Sequence, residues 1–503
     1  MPSLIDIAVN LALSGAVLVL STFLWNYLRS PLKSYPGPFA TNFTNFWRFL
    51  DVHKGRCDIT HNALHRKHGI AVRMGPNVLS LSDPNLISKV FTTKNPWKKS
   101  TMYGVNDVMV SGKRVSNLFG TTDEKWHSTV IRPVKSLYSM TKVQDVEHCV
   151  DAVINLYLEK LQERFVSPGK ACDMADYMLY FAWDTMSQVT FSETLGILEA
   201  GNDDRKFLET SYRSLDYFAP VCQIPELDLL LDKNPIYRLG PPSFGWATLF
   251  SIEALKKRIA RGPTLDGKND FLDKFLEAKK KHPELVDDGM VVTYLLSNVL
   301  AGSDTTAISL CSAIYYILKH PKVHRKLREE IHRAQLPIPA SWKDIQDLPY
   351  LNAVMREAMR IHPGVGLMLE RIVPEGGLTL PDGRFVPAGT IVGMNPWVIN
   401  RNEEVFGPNT DKFIPERWLK YDHETEEQFS ARVSRMKGCD LTFGAGSRVC
   451  IGRYLSQFES YKLIATMFTK FDIELADPKD DWKIINSWFV RQLNIPVVLK
   501  NRV

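Results

Sequence analysis

Residues 443–452 have the sequence Phe-Gly-Ala-Gly-Ser-Arg-Val-Cys-Ile-Gly, which places one cysteine among glycines and directly before an apolar, helix-forming stretch. A cysteine at a helix N-terminus lies beside unpaired backbone N–H groups, and the cation of Arg448 two residues earlier further favours its thiolate. Such a thiolate serves either as a nucleophile or as a metal ligand. A nucleophile needs a general base, and no histidine lies near in the sequence, although the fold can supply one from elsewhere. A ligand to a flat cofactor needs close access to the backbone, which Gly446 and Gly452 would give.

The composition indicates a globular protein with a large core. The chain has 503 residues, of which 45% are hydrophobic and 23% charged, and this excludes disordered and collagen-like classes. The net charge of +6 is modest and forms no basic stripe, so a nucleic-acid partner is not expected. No repeat or long linker follows residue 40, and we expect one domain spanning 34–503. The seven cysteines are dispersed without a Cys-x-x-Cys pair, which argues against a disulfide scaffold or zinc site and suits a reducing compartment.

The N-terminus predicts a membrane anchor over residues 1–33. Ile7–Leu28 contains 22 residues without a charge, which is long enough for a helix to cross the hydrocarbon core. Trp25 and Tyr27 follow the pattern of an interfacial aromatic belt, and Arg29 after the span predicts a cytosolic body. The alternative is a cleaved signal peptide, but the apolar run is too long, the charge lies on the wrong side, and no cleavage site stands out.

The remaining periodicity predicts a mainly α-helical fold with small β-sheets. The longest predicted helix covers residues 287–320 and is apolar nearly all round, so we expect it to cross the interior. Residues 70–83 and 377–395 show strand patterns interrupted by turn residues. A shorter helix over residues 58–69 carries His61, His65 and His68 on one face. Arg66 and the neighbouring lysine make a solvated surface face the expected role there, rather than a metal site.

A lone Cys-x-Gly would more often be a buried structural cysteine, but here the whole pattern Phe-x-x-Gly-x-Arg-x-Cys-x-Gly is complete. With it, the chain resembles the cytochrome P450 family of haem-thiolate monooxygenases over nearly all of residues 34–503. The resemblance implies a cytochrome P450 fold and a haem whose iron takes Cys450 as its axial thiolate ligand. It also implies a haem-binding loop formed by Phe443, Gly444, Gly446, Arg448 and Gly452.

Two further matches concern a structural network. Glu357 and Arg360 form the family's Glu-x-x-Arg, and at this spacing they share one helix face and can pair bidentately. An exposed helix pair of this kind is common and contributes little. The segment Phe-Ile-Pro-Glu-Arg-Trp adds Arg417, which resembles the family's second arginine. The resemblance implies that the three residues hold the cysteine loop in place and take no part in the chemistry.

Another match lies in the middle of the long helix, at residues 301–306, Ala-Gly-Ser-Asp-Thr-Thr. Thr305 can bond back to the carbonyl of Ala301 and bend the helix, and Gly302 permits the distortion. The alternative is a kink without chemistry. The resemblance implies instead that Asp304 and Thr305 relay protons for the cleavage of dioxygen.

Arg371, in Leu-Met-Leu-Glu-Arg-Ile, resembles the arginine that reaches a haem propionate. The family's early Trp-x-x-x-Arg is altered in this chain. Trp126 and His127 are followed by Val130 and Ile131, and the nearest arginine is Arg132. Trp126, His127 and Arg132 are all candidate propionate contacts, and the register stays open.

The resemblance also implies partners. Similar microsomal enzymes receive electrons from NADPH-cytochrome P450 reductase in the endoplasmic reticulum membrane, and this chain contains no flavin or NADPH motif of its own. Basic residues near the cysteine loop would suit docking of an acidic electron donor, with ordinary surface as the alternative: Arg432, Arg435, Lys437 and Arg453.

The substrate pocket is expected to be apolar, which predicts a lipophilic small molecule. By analogy it draws on residues 103–119, on Val299 and Ala301, on residues 365–369, and on Trp488 and Phe489, with packing core as the competing role. The segments at residues 138–143 and 394–407 look most like fungal secondary-metabolism members of the family, including those similar to pisatin demethylase. Two rival functions are an O2-independent haem-thiolate isomerase or dehydratase and a non-enzymatic haem sensor, and a membrane-anchored cysteine hydrolase is a more distant one.

Overall fold

The protein is described from a computed structural model, which covers residues 4–110, 113–241, 244–262 and 270–502. Most of these residues are helical. The α-helices of the first half are α1 (Leu4–Arg29), α2 (Phe46–His53), α3 (Cys57–His68), α4 (Ile87–Val90), α5 (Glu124–Ile131), α6 (Met140–Val143), α7 (Glu147–Leu161), α8 (Met174–Phe191), α9 (Ile197–Ala200), α10 (Phe207–Val221) and α11 (Glu226–Leu231). Those of the second half are α12 (Gly245–Arg261), α13 (Phe271–Lys281), α14 (Asp288–Lys319), α15 (Pro321–Ala334), α16 (Trp342–Ile345), α17 (Pro349–Ile361), α18 (Pro396–Ile399), α19 (Glu403–Phe406), α20 (Glu426–Cys439) and α21 (Arg453–Lys470).

The strands form several small sheets. They are β1 (Ala71–Gly75), β2 (Val78–Leu81), β3 (Val108–Val110), β4 (Lys113–Val115), β5 (Cys172–Asp173), β6 (Leu369–Ile372), β7 (Leu378–Thr379), β8 (Phe385–Val386), β9 (Ile391–Met394), β10 (Phe471–Leu475), β11 (Lys483–Ser487), β12 (Phe489–Leu493) and β13 (Pro496–Asn501). The largest sheet has the order β1-β2-β9-β6, in which only β2 and β9 run parallel. The predicted mainly helical fold with small sheets is therefore confirmed.

Helix α14 crosses the interior, as its all-round apolar pattern predicted. It begins where the Asp287 side chain accepts a hydrogen bond from the Met290 N–H over 2.8 Å, an N-cap that satisfies one of the unpaired donors of the first turn. It ends at Lys319, before Pro321 starts α15 at a position where proline's missing N–H is no loss. Along its length α14 packs against α8, α17 and α21, so it sits beside the helix that follows the cysteine loop.

Two of the three histidines predicted on one face of α3 differ from expectation, while His68 is half-exposed. His61 and His65 are buried, not solvated, because this face of α3 packs against the largest sheet and the residues around Asn395. His65 is hydrogen-bonded to Ser80 Oγ over 2.7 Å, and His61 to the Asn395 amide over 3.0 Å. They are satisfied core histidines, and within the described part of the chain no group of three or more His, Cys, Asp or Glu side chains is arranged to hold a metal ion.

Helix α1 stands apart from the core. Its apolar side chains are exposed almost throughout, and by length and composition it is the one helix among the described residues able to cross a membrane. An exposed apolar helix of 26 residues needs an apolar environment to cover it.

Candidate functional site

The cysteine loop precedes α21 and is held by its own backbone. The Cys450 N–H donates to the Phe443 carbonyl over 2.8 Å, which closes the loop into a compact turn. Gly444 and Gly446 both have φ of +68°, in the left-handed region that favours glycine. A Cβ at Gly446 would come within 2.1 Å of the Phe91 carbonyl oxygen. Position 446 therefore requires glycine for two reasons: the backbone is left-handed there, and Phe91 leaves no space for a side chain.

The Cys450 side chain is exposed although the residue lies inside the fold. Burial by the surrounding protein raises the pKa of its thiol, while the backbone N–H groups of Gly452 and Arg453 and the charge of Arg453 act in the opposite direction. The sequence pointed to Arg448 as the nearby cation, but the arginine that acts on the thiol is Arg453, at the start of α21. A thiol that faces an interior space and meets the N-terminus of a helix is placed to ligate a metal.

Arg448 instead turns toward α5. Its guanidinium makes two hydrogen bonds of 2.9 Å to the Glu124 carboxylate and also donates to the carbonyls of Leu118 and Thr121, over 3.3 and 3.1 Å. The side chain is almost fully buried. This bidentate pair ties the cysteine loop to the segment that leads into α5.

Two more cations lie close to Arg448, and one of them was not predicted. Lys99 and Arg371 are both buried, and an antiparallel backbone bridge joins Lys99, which lies outside the strands, to Arg371 in β6. Burial, together with the charges of Arg371 and Arg448, lowers the pKa of the Lys99 ammonium well below its usual range. Sequence reasoning missed Lys99 because one lysine in Lys-Lys-Ser carries no pattern.

His127 belongs to the same cluster. Burial and the charges of Arg448 and Lys99 lower its pKa to about 3, so the imidazole is neutral at physiological pH. Trp126 is half-buried on the same helix, α5, whereas the Arg132 side chain at the end of α5 is exposed. Among the candidates in the altered motif, His127 therefore lies within the electrostatic reach of Arg448 and Lys99.

The cluster therefore holds more basic than acidic side chains. Three buried basic groups, Lys99, Arg371 and Arg448, face the carboxylate of Glu124. Burial opposes the charge of a basic group that lacks an acidic partner, so the cluster indicates a site for an anionic group. Haem carries two propionates, which would pair with Lys99 and Arg371. The residues present fit a haem whose iron faces Cys450.

Glu357, Arg360 and Arg417 meet in a buried network. Glu357 Oε1 accepts hydrogen bonds from both arginines, each over 2.8 Å, and Trp418 Nε1 adds a further donor to Oε2 over 2.9 Å. Burial raises the pKa of Glu357, but the two guanidinium groups outweigh this and hold it below its usual range. Arg360 also donates to the carbonyls of Asn400 and Thr410, over 2.7 and 3.0 Å. The Asn400 side chain in turn bonds the chain just before the cysteine loop, so the network supports that loop indirectly.

The centre of α14 carries the predicted polar residues, but they face different ways. Thr305 Oγ1 donates to the Ala301 carbonyl over 2.8 Å, as expected, and Ala301 is exposed within the fold. Asp304 is buried and turned toward α8 and α10, where it accepts hydrogen bonds from Trp183 Nε1 over 2.9 Å and Ser211 Oγ over 2.5 Å. Burial raises the pKa of Asp304, although these hydrogen bonds oppose the shift.

An aromatic cluster forms the apolar side of the site. Trp488 lies at the tip of the β11–β12 hairpin with an unusual φ of +74°, and its ring is 5.3 Å from Phe119, 5.9 Å from Tyr103 and 5.5 Å from Phe218. All three pairs are edge-to-face, a favourable aromatic arrangement. Residues 103–119 and Trp488 were predicted here; Phe218, on α10, was not, because one phenylalanine in an amphipathic helix gives no signal of its own.

The sequence comparison agrees with this geometry. The family model for cytochrome P450 matches residues 36–499. The chain belongs to the cytochrome P450 family. It is 40% identical to cytochrome P450 monooxygenase cfoH of Aspergillus candidus over 97% of this chain and 92% of that protein. It is also 35% identical to cytochrome P450 monooxygenase cicH of Emericella nidulans over 98% of this chain and 99% of that one.

Membership of this cytochrome P450 family identifies the chain as a haem-thiolate monooxygenase. The family also implies a separate reductase as redox partner and a lipophilic substrate. The isomerase, dehydratase and sensor alternatives are not favoured by relatives that are themselves monooxygenases.

Proposed function

We propose that Cys450 is the axial ligand of the haem in an enzyme that inserts one oxygen atom from O2 into a lipophilic small molecule. The observation that carries the proposal is the pairing of an exposed thiol inside the fold with a buried cluster of three basic side chains around one carboxylate. With haem bound, a thiolate ligand pushes electron density to the iron and favours cleavage of the O–O bond.

The cation cluster would hold the haem propionates. Glu124 is already paired with Arg448, so Lys99 and Arg371 are the basic groups free to meet a propionate, and His127 can donate one hydrogen bond as a neutral imidazole. Trp126 stands beside His127 on α5 and is proposed as a further contact. Phe443, Gly444 and Gly452 would border the macrocycle. Arg448, fully engaged with Glu124 and two carbonyls, would act mainly by fixing the loop.

Asp304 and Thr305 would supply protons during dioxygen reduction. The Thr305 hydroxyl lies on the exposed face of α14 beside Ala301, and the neighbouring Asp304 has a raised pKa, which suits a group that alternates between acid and carboxylate. This pair favours monooxygenase chemistry over an isomerase that needs no proton delivery.

Electrons would come from NADPH-cytochrome P450 reductase, which docks on a basic surface. Arg435 and Lys437 on α20 are exposed and available to an acidic partner. Arg432 is not, because its guanidinium is bound to the Glu424 carboxylate over 2.6 Å and to nearby carbonyls. Arg435 and Lys437 are therefore the docking residues that we propose.

Residues 1–33 are proposed as a single-pass anchor in the endoplasmic reticulum membrane, with residues 34–503 as a catalytic domain facing the cytosol. The exposed apolar surface of α1 and the basic residues after it support this orientation. Removal of residues 1–33 is expected to shift the protein from the membrane fraction to the soluble fraction. A truncated protein that stays in the membrane would contradict the assignment.

The test of function uses isotopic oxygen. The haem-loaded protein, supplied with the reductase and NADPH, is screened against a panel of lipophilic small molecules under 18O2, and the masses of the products are measured by mass spectrometry. One 18O atom per product molecule is expected, dependent on NADPH. Conversion that proceeds without NADPH or O2 would favour the isomerase, and no turnover across the panel would favour the sensor.

A further inference from the structure

Two pairs of side chains face each other where residues 99–100 meet β6. The antiparallel bridge joins Lys99 to Arg371, so the next pair of opposite residues is Ser100 and Glu370. Successive side chains of an extended chain point to opposite faces, and the Ser100–Glu370 pair therefore lies on the face away from Lys99 and Arg371. One face of this junction carries two basic groups, and the other face carries a carboxylate.

The basic pair lies beside the cysteine loop. The Arg371 guanidinium is 5.1 Å from the centre of the Phe91 ring, and Phe91 packs against Gly446 of that loop. Lys99 Nζ donates to the Phe119 carbonyl over 2.6 Å. Like charges repel, so attraction between Lys99 and Arg371 cannot set their positions. Those positions depend on the backbone that carries the two side chains.

The carboxylate on the opposite face is held from two directions. Glu370 Oε2 accepts a hydrogen bond from Ser100 Oγ over 2.5 Å, and Oε1 accepts one from Arg48 Nη2. All three side chains are almost fully buried. The bond from Ser100 closes across the junction, whereas Arg48 belongs to α2 and ties β6 to a helix outside the sheet. The Glu370 N–H also donates to the Tyr103 hydroxyl over 3.1 Å.

Arg48 and Glu370 form a buried ion pair whose loss has two separable effects. Arg48 Nε is buried and has no hydrogen-bond partner in the part of the chain that the structure describes, so the guanidinium relies on its pair with Glu370. Removal of one member of such a pair is strongly destabilising, whereas replacement of both members by apolar residues often leaves stability unchanged. Replacing both residues therefore tests what the pair does for Lys99 and Arg371 apart from what it does for stability.

We propose that Arg48, Ser100 and Glu370 are positioning residues for the haem propionates. By fixing β6 against residues 99–100, they hold Lys99 and Arg371 at the separation and direction that two propionates require. They act through Lys99 and Arg371 and are not themselves contacts of the haem. The inference rests on the proposed function, in which Lys99 and Arg371 meet the propionates.

The first test is spectroscopic and uses the double variant Arg48→Met, Glu370→Leu, which removes the ion pair without leaving a buried charge. Resonance Raman spectra of the haem-loaded protein contain propionate bending bands, whose frequencies depend on the hydrogen bonds that the propionates accept. We expect these bands to shift in the double variant in the same direction as in Lys99→Met, while the midpoint of urea unfolding stays near that of the wild type. Propionate bands at their wild-type frequencies in the double variant would overturn the proposal.

The second test measures haem transfer to an excess of an acceptor apoprotein. The double variant is expected to release haem about tenfold faster than the wild type, which lies within the range of coupling energies between residues in contact. Ser100→Ala removes one hydrogen bond and no charge, so it keeps the test valid if the double variant does not fold, and we expect about threefold faster release.

The control for the second test is Asp270→Asn. Asp270 forms an ion pair with Arg258 over 2.7 Å, and both side chains are almost fully buried, as in the pair between Arg48 and Glu370. This variant is expected to lose stability but to release haem at the wild-type rate. If Ser100→Ala and the double variant released haem no faster than Asp270→Asn, the network would have a structural role only.

Failure of this inference and failure of the proposed function give different results. If the proposed function is wrong, the wild type itself lacks the carbon monoxide band of a thiolate-ligated haem. If only this inference is wrong, the wild type has that band and Lys99→Met releases haem faster, but the double variant and Ser100→Ala keep the propionate bands and the release rate of the wild type.

Discussion

Arg448 and Glu124 are joined by two hydrogen bonds of 2.9 Å although 324 residues separate them in the sequence. The pair connects the cysteine loop to α5 and neutralises one cation of the site. Lys99 and Arg371 donate instead to the backbone carbonyls of Phe119 and Glu370, over 2.6 and 2.8 Å. A bidentate pair that fixes the loop and two basic groups that would pair with an anion have different roles, and their removal should have different effects.

Lys99→Met is expected to release haem about 10- to 100-fold faster than the wild type, because hydrogen bonds to charged groups contribute roughly 1.5–3 kcal/mol. The measurement is the rate of haem transfer to an excess of an acceptor apoprotein. Arg132→Gln is the control, since Arg132 is exposed, and it should leave the rate unchanged. If Arg132→Gln released haem and Lys99→Met did not, the assignment of the propionate contacts would be reversed.

Glu357→Gln is expected to lower the free energy of unfolding by about 3–5 kcal/mol, because it leaves the buried guanidiniums of Arg360 and Arg417 without their counter-ion. Urea unfolding followed by tryptophan fluorescence measures the change. Glu253→Gln is the control: this glutamate forms an exposed pair with Lys257 on α12, and its loss should not shift the midpoint. Equal midpoints for the two variants would contradict a role for the network in stability.

The same variant has a predicted pH dependence. The pKa of Glu357 is lower in the folded protein than in the unfolded chain, so its stabilising contribution is fully present above the unfolded value of about 4.3. That contribution is lost as the pH falls through the folded-state pKa. The difference in unfolding free energy between wild type and Glu357→Gln should therefore shrink below about pH 4. If the difference in unfolding free energy grew as the pH fell, the pKa of Glu357 would be raised by folding, not lowered.

Thr305→Val is expected to raise the hydrogen peroxide released per NADPH consumed, because the hydroxyl that bonds to Ala301 is lost from the exposed face of α14. Peroxide and NADPH are measured in the reductase-supported reaction. Thr293→Val is a matched control, since Thr293 makes the same bond to Gly289 over 2.9 Å on the same helix. Thr305→Ser should keep the wild-type ratio. If Thr293→Val and Thr305→Val released similar amounts of peroxide, the Thr305 hydroxyl would have no specific role in proton delivery.

The double variant Arg435→Glu, Lys437→Glu is expected to raise the KM for the reductase about tenfold, since like charges would now face an acidic partner. The effect should weaken as ionic strength rises. Steady-state NADPH oxidation at several reductase concentrations measures it. Arg325→Glu, on the exposed face of α15, is the control. If the KM for the reductase rose equally in the double variant and in Arg325→Glu, the cause would be a general charge effect rather than a docking surface.

The sequence predicted the features that depend on local patterns. The all-round apolar run of α14 and the spacing of Glu357 and Arg360 each have a direct physical signature. The contact between Arg417 and Glu357 could be predicted only from the family resemblance, because the two residues are 60 positions apart in the sequence.

What the sequence could not give depends on packing between distant segments. His61 and His65 looked solvated because charged residues alternate with them, but the sheet covers one side of α3. Lys99 joins the site because its backbone pairs with that of Arg371, 272 positions later in the sequence. The direction of Asp304, toward Trp183 and Ser211, likewise depends on where α8 and α10 pass.

The most direct test of the central claim is a carbon monoxide difference spectrum of the reduced, haem-loaded protein and of Cys450→Ser. We predict a strongly red-shifted Soret band in the wild type and its loss in the variant, since only a thiolate ligand shifts the band in this way. A folded, fully haem-loaded wild type without that band would contradict the assignment of Cys450 and, with it, the monooxygenase mechanism.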